Sequence, residues 1–81
     1  MELMRMDDRS YAELRQEVKR DLERQHPGVL MLTLKQAATV YGYTDTKTAK
    51  DKIGAPRIPG EHRVMYYLGD IASDIAKRRL G

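Results

Sequence analysis

Eighty-one residues, 41% apolar and 33% charged, with no Trp, Phe or Cys, set the scale of one small domain whose core must rest on Leu, Ile, Val, Met, Ala and Tyr. Without Cys there is no disulfide framework and no thiolate for zinc or nucleophilic chemistry, and no apolar run approaches the ~20 residues that span a bilayer. The net charge of +3 is unevenly spread: residues 1–32 carry seven acids and six Lys/Arg, residues 33–81 five acids and nine Lys/Arg.

Met1–Asp8 carries Glu2, Asp7 and Asp8 and lacks the apolar centre of a signal peptide. With the missing Cys, this fits a cytoplasmic protein. The pattern predicts a flexible arm over 1–9. Ser10-Tyr11-Ala12-Glu13 matches a capping box, so an N-terminal helix is expected over 10–25. Tyr11, Leu14, Val18 and Leu22 form its single apolar stripe, and His26-Pro27-Gly28 ends it.

Val29–Leu32 is too short for a helix and reads as an extended segment or small strand. Thr33-Leu34-Lys35-Gln36 is a second capping-box match. The helix that it opens should bury Leu34, Ala37, Ala38 and Tyr41, and Gly42 supplies a left-handed stop. Tyr43 falls where a buried turn residue would fix the angle to the next helix. That helix, about Thr46–Ile53, can be capped by Thr44 or Asp45, has Ala49 and Ile53 as its inward residues, and ends at Gly54. Ala55–Ile58 and Arg63–Tyr67 read as two strands joined through Pro59-Gly60-Glu61-His62. Pro56 and Pro59 suit an edge or a turn. A closing helix is expected over 69–80, with Ile71, Ala72, Ile75, Ala76 and Leu80 inward and Lys77, Arg78 and Arg79 in its last turn, against the negative end of the helix dipole.

The expected class is therefore mainly α with a small β-hairpin: a winged helix-turn-helix with an additional N-terminal helix. Residues 10–81 form one domain, with the helix pair over 33–53 and the wing over 55–67. A helix held at a steep angle to its neighbour can enter the major groove, and the small residues Ala37, Ala38 and Ala49 permit close approach. Its hydroxyls and ammonium groups suit phosphates and base edges, although Arg, Asn and Gln, the strongest bidentate base readers, are missing from it. Arg57 and Arg63 could lie on paired wing strands and reach phosphate or the minor groove. His62 could donate to a phosphate when protonated, whereas Glu61 would oppose that contact. Candidate DNA-contacting residues are Lys35, Thr44, Thr46, Lys47, Thr48, Lys50, Lys52, Arg57, His62 and Arg63. An ordinary packed helix corner with a solvated lysine face would show many of the same features.

Leu32-Thr33-Leu34-Lys35-Gln36-Ala37-Ala38, followed by Tyr41-Gly42-Tyr43-Thr44, resembles the opening of excisionase-like and MerR-like winged helix-turn-helix domains. Lys47–Ile53 falls where those families carry the recognition helix. Pro56-Arg57-Ile58 and His62–Tyr66 are similar to their wing strands, and Asp70-Ile71 to the start of their last helix. The resemblance covers residues 32–80. It implies a small DNA-binding protein, encoded by a phage or mobile element, that binds and bends duplex DNA in site-specific recombination or regulates transcription. Double-stranded DNA is the implied partner, with a recombinase or further copies of the chain along DNA beside it. MerR-type regulators continue into a dimerisation helix and an effector domain, and the end at Gly81 argues against a complete effector sensor, so no small-molecule effector is expected. The chain also departs from the pattern at Ala49, where a large residue is frequent, and in its extra N-terminal helix.

That extra helix could cover the core, mediate dimer contacts or touch a recombinase; its single apolar stripe favours the first. Catalysis is not expected, because His26 and His62 fall in turns and no metal-ligand or paired-acid spacing is present. Asp70 and Asp74 read as helix-start and surface carboxylates, and Tyr66 and Tyr67 as core and wing packing. No cofactor or metal is implied. The rival class is a non-catalytic protein-interaction adaptor built on the same fold.

Overall fold

The computed structural model describes the backbone of residues 2–59 and 63–80, and the side chains from Ser10 onward. Glu61 and His62, at the expected wing tip, lie outside the described residues.

The first helix, α1, spans Glu2–Gln25. It starts at Glu2, which corrects the expected helix start at Ser10. Residues 2–9 contain no Gly, Pro or β-branched residue, and Leu, Met, Glu and Arg propagate a helix at little cost once it is nucleated. Ser10 lies inside the helix, where backbone dihedrals exclude a capping role. Gly28, at φ 76°, turns the chain out of α1.

Strand β1 (Met31–Thr33) buries Leu32 and ends on the residue that starts α2 (Leu34–Tyr41). The capping box forms as its spacing predicts. Thr33 Oγ1 accepts from Gln36 N–H at 3.1 Å, and Gln36 Oε1 accepts from Thr33 N–H at 2.9 Å. Gly42, at φ 85°, stops α2. Its N–H donates to Thr39 O and the next N–H, from Tyr43, reaches back to Ala38 O, the paired bonds of a Schellman turn. The short helix α3 (Thr46–Lys52) is capped by Asp45, not Thr44, and ends on Ile53.

Strands β2 (Arg57–Pro59) and β3 (Val64–Tyr67) complete an antiparallel sheet of order β1-β3-β2. Beside the expected hairpin, the segment read over Val29–Leu32 as extended or a small strand supplies β1, which pairs with β3 as a third strand with Leu32 opposite Tyr66. Pro59 sits on an outer strand, where a missing N–H does no harm. Strand alternation sends Leu32, Val64 and Tyr66 inward and Met31, Ile58, Met65 and Tyr67 to the opposite face.

The last helix, α4 (Leu68–Leu80), buries Leu68, Ile71, Ala72 and Ala76. Leu80 was expected inward but is 47% exposed, because it is the final helical residue and no described element continues beyond it. Helix α1 packs along α4, burying Val18 and Leu22 in the common core, while Arg15 Nε donates to Ser73 Oγ at 2.8 Å. Leu32, Tyr66 and Ile71 are the largest fully buried side chains, each stabilising the fold by about 1.5–3 kcal/mol through burial. Ala37, Ala38 and Ala49 are buried where α2 meets α3.

Among the described residues the Tyr66 hydroxyl is buried without a hydrogen-bond partner, a burden of about 1–3 kcal/mol for such a group. Tyr66→Phe keeps the ring and removes the orphan. Its melting temperature should equal or exceed that of the unmodified protein by calorimetry; a drop of several degrees would reveal a partner for the hydroxyl.

Candidate nucleic-acid interface

The expected contact residues separate into groups. Lys35, exposed in the first turn of α2, lines two adjoining open hollows. One, of about 440 Å³, also takes in Thr39, Gly42, Tyr43, Thr44 and Thr46. The other, of about 430 Å³, takes in Thr33, Leu34, Thr46, Arg63 and Val64. Lys35 and Thr46 belong to both, so one concave strip runs from Thr44 to Arg63. Lys50 lies one helical turn beyond Thr46 on the same face of α3, and Lys47 is its neighbour three residues away. Both lysines are exposed.

Other candidates do not join this strip. Lys52 is exposed but lies five residues from Lys47, about 140° around the helix, and its backbone carbonyl accepts from the Arg78 guanidinium of α4. Thr48 Oγ1 donates to Asp45 Oδ2 at 2.8 Å, so its hydroxyl serves the cap first. Arg57 and Arg63 do not face each other. Arg57 pairs with Tyr66, and Arg63 precedes β3, about 10 Å further along the strand. His62 is outside the described residues.

Asp45 puts a carboxylate at the N-terminus of α3. It accepts from Lys47 N–H at 3.1 Å, Thr48 N–H at 3.3 Å and the Thr48 hydroxyl. The Thr48 hydroxyl, then the backbone N–H groups, hold this carboxyl below its ordinary value. An anion at that helix end would meet a fixed negative charge.

Adjoining the strip at Tyr43 is a polar cluster that the linear sequence does not reveal. Asp74 Oδ2 accepts from the Tyr41 hydroxyl at 2.5 Å and from Gly54 N–H at 3.2 Å, and pairs with Arg78 Nε at 3.0 Å. Arg78 also donates to the Tyr43 hydroxyl at 3.3 Å and lies over the Tyr41 ring, 5.0 Å from its centroid, a cation–π contact. Tyr41 and Tyr43 stack with centroids 5.9 Å apart. Asp74 was expected to be a surface carboxylate; its side chain is only 17% exposed because Tyr41, Gly54 and Arg78 surround it. Gly54 permits this approach, since a Cβ there would fall 2.4 Å from Asp74 Oδ1. The one hint in the sequence was the acid–base pair Asp74 and Arg78 at i,i+4.

Among the described residues, no cluster of three or more His, Asp or Glu could hold a metal ion, and no helix is long and apolar enough to cross a membrane. No family model, curated protein or solved structure matches the chain.

Burial, then the hydrogen bond to Asp74, pushes the Tyr41 phenol well above its ordinary value. Folded Tyr41 therefore keeps its proton where the unfolded phenol, with a pKa of about 10, has released it. This contribution to stability is complete below about pH 10 and is lost as pH rises towards the folded value. Melting temperature should fall above about pH 10, and Tyr41→Phe should shallow that fall. An unchanged slope in the variant would assign the alkaline loss to other groups.

Proposed function

We propose that the chain is a winged helix-turn-helix protein of the excisionase-like type that binds double-stranded DNA. On this reading α2 and α3 are the helix pair, β2 and β3 the wing, and α1 an added helix on the core. The protein acts in the cytoplasm without catalysis, as an architectural factor in site-specific recombination or as a small transcriptional regulator.

The observation that carries the reading is the strip along which Lys35, Thr46 and Arg63 meet, with Lys47 and Lys50 beside it. These groups come from α2, α3 and the start of β3, three elements joined by one buried core. Cations spread along a concave strip suit a phosphate backbone, which carries most of the affinity in such complexes. With no Arg, Asn or Gln on α3, sequence preference would come from the wing and from DNA shape.

One observation favours the adaptor reading. The outward sheet face holds Ile58 and Tyr67, 38% and 41% exposed, and Leu30 beside β1 is 69% exposed. Exposed apolar groups of this kind suit a protein partner.

Duplex binding followed by fluorescence anisotropy across salt concentrations separates the two. Four phosphate contacts, from Lys35, Lys47, Lys50 and Arg63, predict a slope of log K against log salt of about −3 to −4. Replacing Lys47, Lys50 and Arg63 together with Ala should lower the steepness by about 2 to 3 and leave the circular dichroism melt nearly unchanged, because all three are exposed. Absence of binding to any duplex at low salt would remove DNA as the partner and leave the adaptor reading.

A further inference from the structure

Helix α3 is poorly held by apolar packing. It has seven residues, and Ala49 is the only one of them that is buried. A methyl group offers little shape to resist tilt or rotation, and a helix of this length spans about 10 Å. Ile53, the C-cap residue, is buried just beyond it, and polar contacts add to that anchor. At the N-terminal end Asp45 holds the Lys47 and Thr48 N–H groups. At the C-terminal end the contacts come from α4: Arg78 donates to Lys52 O, and Asp74 accepts from Gly54 N–H. The same two side chains hold Tyr41 and Tyr43, which flank the turn between α2 and α3. Asp74 and Arg78 thus tie both the turn before α3 and the chain leaving it to a single helix.

We infer that Asp74 and Arg78 are positioning residues: they set the angle of α3, and with it the alignment of Lys47 and Lys50 with Lys35 and Arg63, without themselves touching the ligand. This rests on the DNA-binding reading, and it adds a determinant on α4, outside the residues that line the strip. A tilt of α3 about its N-terminal cap would move Lys50 away from the strip while leaving every cation in the protein. Misplacement on the order of 1 Å is enough to weaken a preorganised site.

Electrostatics and positioning make opposite predictions for Asp74→Asn. The substitution removes a negative charge from a chain of net charge +3, so charge alone would tighten duplex binding. Loss of positioning would weaken it. Arg78→Lys keeps the charge but cannot reach the Tyr43 hydroxyl and Lys52 O with one planar fork. Duplex affinity should be measured for both variants at a temperature at which circular dichroism shows them folded, so that a general loss of stability leaves affinity unchanged. Amide hydrogen exchange of α2 and α3 should be recorded alongside.

The expected result is affinity weakened by roughly threefold to thirtyfold in each variant, a shallower salt slope, and exchange accelerated at Ala49–Ile53 but not within α2. Asp74→Asn that is folded and binds as well as the unmodified protein, or better, overturns the inference while the DNA-binding reading stands. If Asp74→Asn is unfolded at the assay temperature, Arg78→Lys decides by the same criteria, and unaltered affinity there is equally fatal. An unmodified protein that binds no duplex defeats the DNA-binding reading and the inference with it, a result distinct from binding that ignores both substitutions.

Discussion

The Asp74 carboxylate gathers three donors that lie far apart in the chain: the Tyr41 hydroxyl, Gly54 N–H and the Arg78 guanidinium. An exposed ion pair of this kind is worth at most about 1 kcal/mol. This one is largely enclosed, and each partner would lose a charged acceptor if Asp74 were removed, so its members act as a network rather than as separate pairs. Gly54 has to lack a Cβ for the approach, and the two stacked tyrosines supply the wall beneath Arg78. The turn after α2, the end of α3 and the last turn of α4 all meet here.

The rest of the domain depends on such ties because its apolar core is thin around α3. Leu32, Tyr66 and Ile71 fill the space between sheet and helices, and α1 adds Val18 and Leu22 against α4. Around α3 the buried groups are mostly small: Ala37, Ala38 and Ala49, with Ile53 and Ala55 just beyond. Small side chains let two helices approach closely but leave their angle loosely set. Asp74 and Arg78 of α4 add constraint at the C-terminal end of α3, while Asp45 caps α3 from within its own segment. They also shape the charge of the surface. Asp45 places an anion at the start of α3, beside the strip that passes Thr44 and Thr46 on its way to Arg63.

Local features were legible because their causes are local. Thr33 and Gln36 form the capping box that their spacing predicts, Gly42 takes the left-handed conformation that only glycine adopts freely, and Ala49 and Ile53 face inward. The N-terminus was misread because Ser10 and Glu13 have the right spacing for a cap, yet nothing before them breaks a helix, and propagation overrides a weak local signal. Strand β1 was only half legible. Three residues carry too little pattern to distinguish a strand from a loop, and its identity depends on pairing with β3, more than thirty residues on. Residue type marks a candidate contact but does not report its direction. Lys52 shares the chemistry of Lys50 but lies at a different angle around α3, and Thr48 shares that of Thr46 but donates its hydroxyl to Asp45.

The sequence by itself determined the order and approximate limits of the helices after residue 10, the capped and Gly-terminated α2, the edge position of the proline-bearing strand and the concentration of positive charge after residue 32. Each follows from backbone preference, side-chain spacing or composition within a short window. Only the tertiary structure decided which cations share a surface, that the sheet has three strands, and that Asp74 and Arg78 join α4 to both sides of α3. Tyr41 lies 33 residues from Asp74 and Gly54 lies 20 from it. No local rule connects positions so far apart; the packing of α4 against the sheet and α1 brings them within hydrogen-bonding distance.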